Sequence, residues 1–193
     1  MKRLYKHFVT VTLLMASCAP AAVMAESTFD SGAGTLSTAA RLNLRVTIPR
    51  FLFFRVGTVG GTIDQIAFAP AASIVGDSSP VSGTGGDAGG GSGANVAVRS
   101  NGGQITITET NDGGVGGLGS GGGISLSEIS VTSDNASLDT PILSDTGGGT
   151  SSPTLNGGNV TNRTAIWIYA YDNTTIPADG NYDAQITYTA ASP

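Results

Sequence analysis

Apolar and polar residues alternate along most of this chain with the two-residue period of a β-strand that has one buried and one wet face. The longest alternating run covers residues 36–48, about twice the usual strand length, and Pro49 ends it because proline cannot donate to a β-ladder. One side of the run is mostly apolar, formed by Leu36, Ala40, Leu42, Leu44, Val46 and Ile48. The pattern predicts a long first strand here.

Shorter runs predict the remaining strands at 51–56, 63–68, 94–110, 124–132, 141–143, 164–171 and 181–190. Within 94–110 we predict a hairpin, because a two-residue type I′ turn at Asn101-Gly102 sets Val98 opposite Ile105 and Val96 opposite Ile107 on one face.

Between these runs lie turn residues, including two Gly-rich segments, 76–93 and 112–123, which we predict to be surface loops. No window longer than about ten residues shows helical periodicity with good helix formers. The predicted fold class is therefore all-β, an immunoglobulin-like or jelly-roll β-sandwich with long Gly-rich loops.

The first 25 residues read as a signal peptide. Lys2, Arg3 and Lys6 form a basic start, an apolar run follows over residues 8–22, and the segment closes on the small-x-small pattern Val23-Met24-Ala25. We therefore expect an exported chain with a single domain over residues 26–193. Cys18 offers an alternative, since residues 15–18 loosely resemble a lipobox and would make Cys18 a lipidated first residue.

Removing the leader changes the available chemistry. Every Cys, His, Lys and Met lies within residues 1–25, so the mature chain is predicted to have no metal site of His or Cys, no disulfide and no cofactor. Its six arginines against 14 acidic residues give a formal net charge of −8. That charge gives no electrostatic reason to bind nucleic acid, and no second apolar run approaches the roughly 18 residues of a membrane span.

Catalysis is not expected. Asp145-Thr146-Gly147 resembles the motif of aspartic proteases, but no later apolar-apolar-Gly segment follows it, and a turn explains the same residues. Nothing in the spacing of Glu109 and Glu128 requires them to meet as a glycosidase pair. We therefore assign no catalytic residue and predict that the protein is not an enzyme.

A row of aromatic residues on the strand predicted at 164–171 leaves two interpretations open. Trp167, Tyr169 and Tyr171 share one face of that strand. If exposed, they could stack against sugar rings, which would make the protein a monomeric or lipid-anchored surface sandwich that binds a glycan or protein ligand. If buried, they belong to the core of the domain.

The two ends of the domain resemble a known family. Residues 42–49 read LNLRVTIP, an apolar strand closing on Val56-Gly57 follows, and residues 176–188 read IPADGNYDAQITY. This frame is similar to pilin-like subunits of bacterial chaperone–usher fimbriae, in particular the disulfide-free and spore-coat-like branch. The Gly-rich middle of the chain matches nothing in that frame.

The resemblance implies an immunoglobulin-like sandwich that lacks one strand, which the N-terminal extension of another subunit supplies by strand addition. It also implies a periplasmic chaperone, an outer-membrane usher and a place in a filament at the bacterial surface. Residues 26–48 would then be the donor-strand extension, inserting Leu36, Ala40, Leu42, Leu44, Val46 and Ile48 into a neighbour. The same residues could instead form the first strand of their own sheet, and strand period alone leaves both alternatives open.

Overall fold

The computed structural model describes residues 28–113, 116–119 and 123–193. It separates into two compact units, Met1–Ile48 and Pro49–Pro193. The proposed signal peptide and Cys18 lie outside the described residues.

Nearly all regular structure in the described residues is β, which confirms the predicted all-β, sandwich-like class. The strands are β1 Leu52–Val56, β2 Ile66–Ala67, β3 Val81–Ser82, β4 Thr84–Gly85, β5 Gly93–Ser100, β6 Thr106–Asn111, β7 Ile129–Ser133, β8 Thr150–Ser151, β9 Thr161–Tyr171 and β10 Ile186–Ala191. Two short 3-10 turns, Leu126–Glu128 and Ala136–Leu138, flank β7.

The strands form two main antiparallel sheets. In the first, β9 is central, with β5 and then β1 on one side and β7 on the other, while β3 continues the β5 side along the end of β9. In the second, β6 lies between β10 and β8. The strands β2 and β4 form a separate two-stranded ribbon.

From β5 onward, consecutive strands alternate between the two main sheets. The hairpin predicted at 94–110 is therefore wrong, because β5 pairs with β1 and β9 while β6 pairs with β10 and β8. A strand pair facing across a sandwich places the same alternate residues inside as a hairpin does, so Val96, Val98, Ile105 and Ile107 are buried as expected. The positive φ falls at Gly103 (101°), not at Asn101-Gly102.

The core lies between the two main sheets and is centred on Trp167 of β9. Its indole nitrogen donates to the carbonyl oxygen of Leu138 at 3.1 Å, and its ring meets Tyr188 of β10 edge-on at 5.1 Å between centroids. Tyr169 reaches the same tyrosine through a 3.2 Å contact between hydroxyls. These contacts join the first sheet to the second.

The strand predicted at 36–48 is not formed. Every residue of 28–48 is exposed and none is in a strand. The residues alternate as those of a strand do, but a strand forms only when its backbone groups have a partner. Whether these residues serve as a donor strand or as the domain's own first strand stays a prediction.

Several smaller predictions also change. The segment 141–143 is not a strand, the strand at 63–68 shrinks to β2, and the last strand begins at Ile186 and not at 181. The Gly-rich segment 76–93 is only partly loop, since it contains β3 and β4. Gly86 shows why glycine is used there: its φ is 75°, and a Cβ would lie 2.0 Å from the carbonyl oxygen of Gly93.

We expect Trp167→Ala to lower the free energy of unfolding by about 3–5 kcal/mol, because it empties the centre of the core and leaves the Leu138 carbonyl unbonded. The matched control is Ile168→Ala on the same strand, 43% exposed, for which we expect a loss of less than about 1 kcal/mol. Urea unfolding of both variants measures the difference. Equal losses would contradict the placement of the core.

Candidate functional site

The segment between Thr28 and the domain carries a row of exposed apolar side chains at alternate positions. Leu42 is 74% exposed, Leu44 86%, Val46 84% and Ile48 72%. Burying a large aliphatic side chain stabilises a protein by roughly 1.5–3 kcal/mol relative to leaving it in water. Ala40 is also exposed, and the alternate residues 41, 43, 45 and 47 are polar. We call residues 40–48 the arm.

The residues preceding the arm fold back on themselves. The Thr28 hydroxyl donates to the Ala39 carbonyl oxygen at 2.7 Å and contacts the Thr38 hydroxyl, and the Ser37 amide donates to the Asp30 carboxylate at 3.0 Å. Leu36 lies inside this turn and is 52% exposed, less than the apolar residues of the arm. The structure thus separates Leu36 from Leu42, Leu44, Val46 and Ile48, with which the sequence grouped it.

The domain of residues 49–193 presents two unpaired strand edges side by side. The strand β1 ends the first sheet and β10 ends the second. They lie next to each other at one side of the sandwich, yet no ladder joins them among the described strands. We call this side of the domain the open edge.

Burial changes between the central strands and the open edge. On β5, β6 and β9 the inward side chains Val96, Ile107 and Trp167 are fully buried or nearly so. The inward residues of the edge strands contact the same core but remain partly covered, namely Phe54 and Val56 on β1 and Ile186, Tyr188 and Ala190 on β10. Leu52 at the start of β1 is exposed. At the open edge, partly covered apolar residues therefore coincide with unpaired backbone edges.

Sequence reasoning did not identify the open edge. The alternation over residues 182–190 marked a strand with one apolar side, but it could not show that this strand ends a sheet. The same is true of β1, whose position at an edge depends on which strands pair far along the chain, such as Val56 with Val96.

The aromatic row proposed for ligand stacking is part of the core. Trp167 is fully buried, and Tyr169 and Tyr171 are less than a tenth exposed. Their face of β9 packs against the second sheet, so these three side chains cannot stand against a sugar ring. The alternative that the aromatic row binds a ligand is wrong for this reason.

Burial raises the pKa of three tyrosines, Tyr169, Tyr171 and Tyr188. Loss of solvent around Tyr188 raises its pKa well above the usual value, and the neighbouring Tyr169 and Glu109 add to the effect. Burial also raises the pKa of Tyr169, partly offset by its hydrogen bond with Tyr188. Glu109 is itself fully buried opposite Tyr188, with Oε1 accepting from Asn111 at 2.9 Å.

The other acidic residues singled out in the sequence hold loops in place. Glu128 accepts from the Thr174 amide and the Thr175 hydroxyl, each at 2.9 Å. Asp145 accepts from the Leu126 amide at 2.6 Å and lies in a turn closed by a Gly147 to Ser144 backbone hydrogen bond. Each of these two carboxylates therefore holds a loop in place through its hydrogen bonds.

Within the described residues, no group of three or more His, Cys, Asp or Glu is arranged to hold a metal ion. No helix in that part of the chain is long and apolar enough to cross a membrane. No family model, no curated protein and no solved structure matches this chain.

The raised tyrosine pKa values predict a loss of stability in alkali. A phenol whose pKa is higher in the folded state stabilises the fold below its unfolded pKa of about 10, and that contribution is lost as pH rises toward the folded value. We expect the free energy of unfolding to fall above about pH 10, and to fall less steeply in Tyr188→Phe. Urea titrations from pH 8 to 11.5 measure the free energy of unfolding of both proteins. An equal decrease with pH in the parent and in Tyr188→Phe would contradict the burial of Tyr188.

Proposed function

We propose that this chain is a structural subunit of a bacterial surface filament that assembles by β-strand complementation and supports adhesion or biofilm formation. The observation that carries the proposal is the combination of an exposed, alternating arm with a domain in which the edge strands β1 and β10 lie side by side, next to partly covered core residues. The arm of one copy would lie along the open edge of another.

The chemistry of the two surfaces is complementary. The arm offers a chain segment outside any strand and a row of exposed aliphatic side chains, while β1 and β10 offer unpaired backbone edges and partly covered apolar residues. Strand addition would give both backbones their hydrogen bonds and bury the aliphatic row. The polar side of the arm, with Asn43 and Thr47, would face water.

The interface would be head-to-tail, because the arm and the open edge are different surfaces of the same chain. An interface of this kind does not close unless its rotation forms a ring, so it extends into a filament. Export through the leader and delivery by a periplasmic chaperone and an outer-membrane usher follow from the fimbrial resemblance. The competing role as a glycan-binding module loses its supporting observation with the burial of Trp167.

The test is a preparation sheared from the surface of cells, compared boiled and unboiled on an SDS gel with an antibody to residues 49–193. Strand-complemented polymers resist SDS until heated, so we expect a ladder that collapses to one band on boiling. A single band in both lanes would count against the filament.

We expect Leu44→Asp to abolish that ladder, because a carboxylate would have to enter an apolar interface without a partner. Asn43→Asp is the matched control, since it adds the same charge on the polar side of the arm and should leave the ladder unchanged. Ladders of equal length from both variants would contradict insertion of this side of the arm.

The fold-back before the arm limits the inserted segment to residues 40–48. We therefore expect Leu36→Asp to retain the ladder while Val46→Asp abolishes it, because Leu36 belongs to the turn held by Thr28 and Asp30. The same gel measures both variants. Loss of the ladder in Leu36→Asp would extend the inserted strand into the turn and overturn this limit.

A further inference from the structure

The chain contains two Asn-Gly pairs, Asn101-Gly102 and Asn156-Gly157, and a second glycine follows each of them. Asparagine before glycine is especially prone to spontaneous deamidation, because glycine has no side chain to shield its backbone nitrogen from the asparagine side chain. The local sequence therefore gives the two pairs nearly the same reactivity. The structure places them in different surroundings.

Hydrogen bonds hold both nitrogens of the first pair that deamidation must move. The side-chain oxygen of Asn101 accepts from the Phe51 amide at 2.9 Å, and its nitrogen Nδ2 donates to the Pro49 carbonyl at 2.8 Å. The backbone nitrogen of Gly102 donates to the Ser100 hydroxyl at 3.0 Å. Both nitrogens have to leave these partners before they can react, so we expect this pair to react only when the region opens.

The second pair lies in an exposed turn just before β9. Residues 156–160 are all exposed, and the turn is closed by two backbone hydrogen bonds, from Asn156 to Val160 at 2.8 Å and from Val160 to Gly157 at 3.1 Å. The side-chain oxygen of Asn156 accepts from the Asn162 amide at 2.6 Å. Its nitrogen Nδ2, the group that deamidation releases, has no hydrogen-bond partner among the described residues.

The bond from Asn162 also favours the reaction. Negative charge develops on the side-chain oxygen of an asparagine while a nitrogen attacks its carbonyl carbon, and a backbone N–H that already bonds this oxygen stabilises the charge. Asn101 has an equivalent donor in the Phe51 amide. The difference between the two pairs therefore lies in their nitrogens, which are bonded at Asn101-Gly102, whereas Nδ2 is free at Asn156.

We propose that Asn156 is a site of spontaneous deamidation in the folded protein and that Asn101 is not. The backbone nitrogen of Gly157 loses its proton to solvent base and forms a bond to Cγ of Asn156. The Cγ–Nδ2 bond breaks, and Nδ2 leaves as ammonia after taking a proton from water. A second water opens the resulting succinimide ring at either carbonyl, which gives aspartate or isoaspartate. The overall change is hydrolysis of one amide, with water as the co-reactant.

The reaction would remove part of a cap on a free strand edge. Among the described strands, β7 pairs with β9 only from Trp167 onward, so the first half of β9 has no strand on that side. Three side chains bond the backbone there instead. The pairs are Asn156 with Asn162 at 2.6 Å, Asn135 with Thr164 at 2.9 Å and Asp134 with Ile166 at 2.7 Å.

Side chains that cover a strand edge in this way keep it from pairing with other chains. In isoaspartate the main chain runs through the former side chain, so the oxygen that bonds Asn162 becomes the carbonyl oxygen of the peptide bond to Gly157. We therefore expect the isoaspartate form to lose the cap on the Asn162 amide, while an ordinary aspartate keeps an oxygen in place for it.

The experiment incubates the chain from Glu26 onward in mildly alkaline buffer, folded in one sample and unfolded by urea in the other. Peptide mapping by mass spectrometry follows the conversion of each asparagine to an acid. In the folded chain we expect Asn156 to convert at least about tenfold faster than Asn101, whose nitrogens are released only by local opening. In urea we expect the two rates to agree within about threefold, because unfolding removes these hydrogen bonds and both sites read Asn-Gly-Gly.

Two variants serve as controls. Asn156→Gln keeps the amide but requires a six-membered ring, which closes more slowly, so we expect this position to stay unconverted over the same time. Asn156→Asp carries the charge of the product on an ordinary main chain. We expect hydrogen exchange at the Asn162 amide to be at least about tenfold faster in the purified isoaspartate form than in the parent, and unchanged in Asn156→Asp.

Three results would overturn the site. Equal rates at Asn101 and Asn156 in the folded chain would show that the hydrogen bonds around Asn101 do not protect it. No conversion at Asn156 in the folded chain, over a time that converts both sites in urea, would show that the turn protects it. The same difference in urea as in the folded chain would assign it to the preceding residues, Ser100 and Leu155, and not to the fold. Unchanged hydrogen exchange at Asn162 in the isoaspartate form would overturn the loss of the cap.

Discussion

A β-strand is stable only when its backbone has a partner, and this requirement controls the whole protein. The central strands β5, β6 and β9 satisfy it within the domain and bury their inward side chains. No residue of the arm lies in a strand, and edge strands such as β1 and β10 are paired on one side only. At β1 and β10 an unpaired backbone edge and partly covered apolar residues therefore occur together.

The sequence predicted the inward face of the sandwich better than its connections. Two-residue periodicity identified Val96, Val98, Ile105 and Ile107 as buried, and they are. It could not choose between a hairpin and a crossing to the opposite sheet, because both place alternate residues in the core. Asn101-Gly102 is a favourable hairpin turn by composition, yet the side chain of Asn101 bonds the backbone at Pro49 and Phe51, a contact between residues far apart in the chain.

Of the two parts of the candidate site, only the arm was predictable from the sequence. The alternation at 36–48 marked a strand with an apolar side, and the fimbrial resemblance suggested its use as a donor. Periodicity did not show that Leu36 lies in a turn, because that turn is closed by the polar side chains of Thr28 and Asp30. Nor could it show the open edge, which depends on the pairing of the whole sheet. The aromatic residues at 167–171 had two interpretations from sequence, and only burial decided between them.

The most direct test of the account is hydrogen–deuterium exchange on filaments sheared from cells, compared with the same material dissociated by heat and cooled as monomer. The account predicts that backbone amides of residues 40–48 and of β10 are protected together in the filament and exchange freely together in the monomer. Protection of β10 in filaments whose arm still exchanges freely would contradict it, since some strand other than the arm would then cover the open edge.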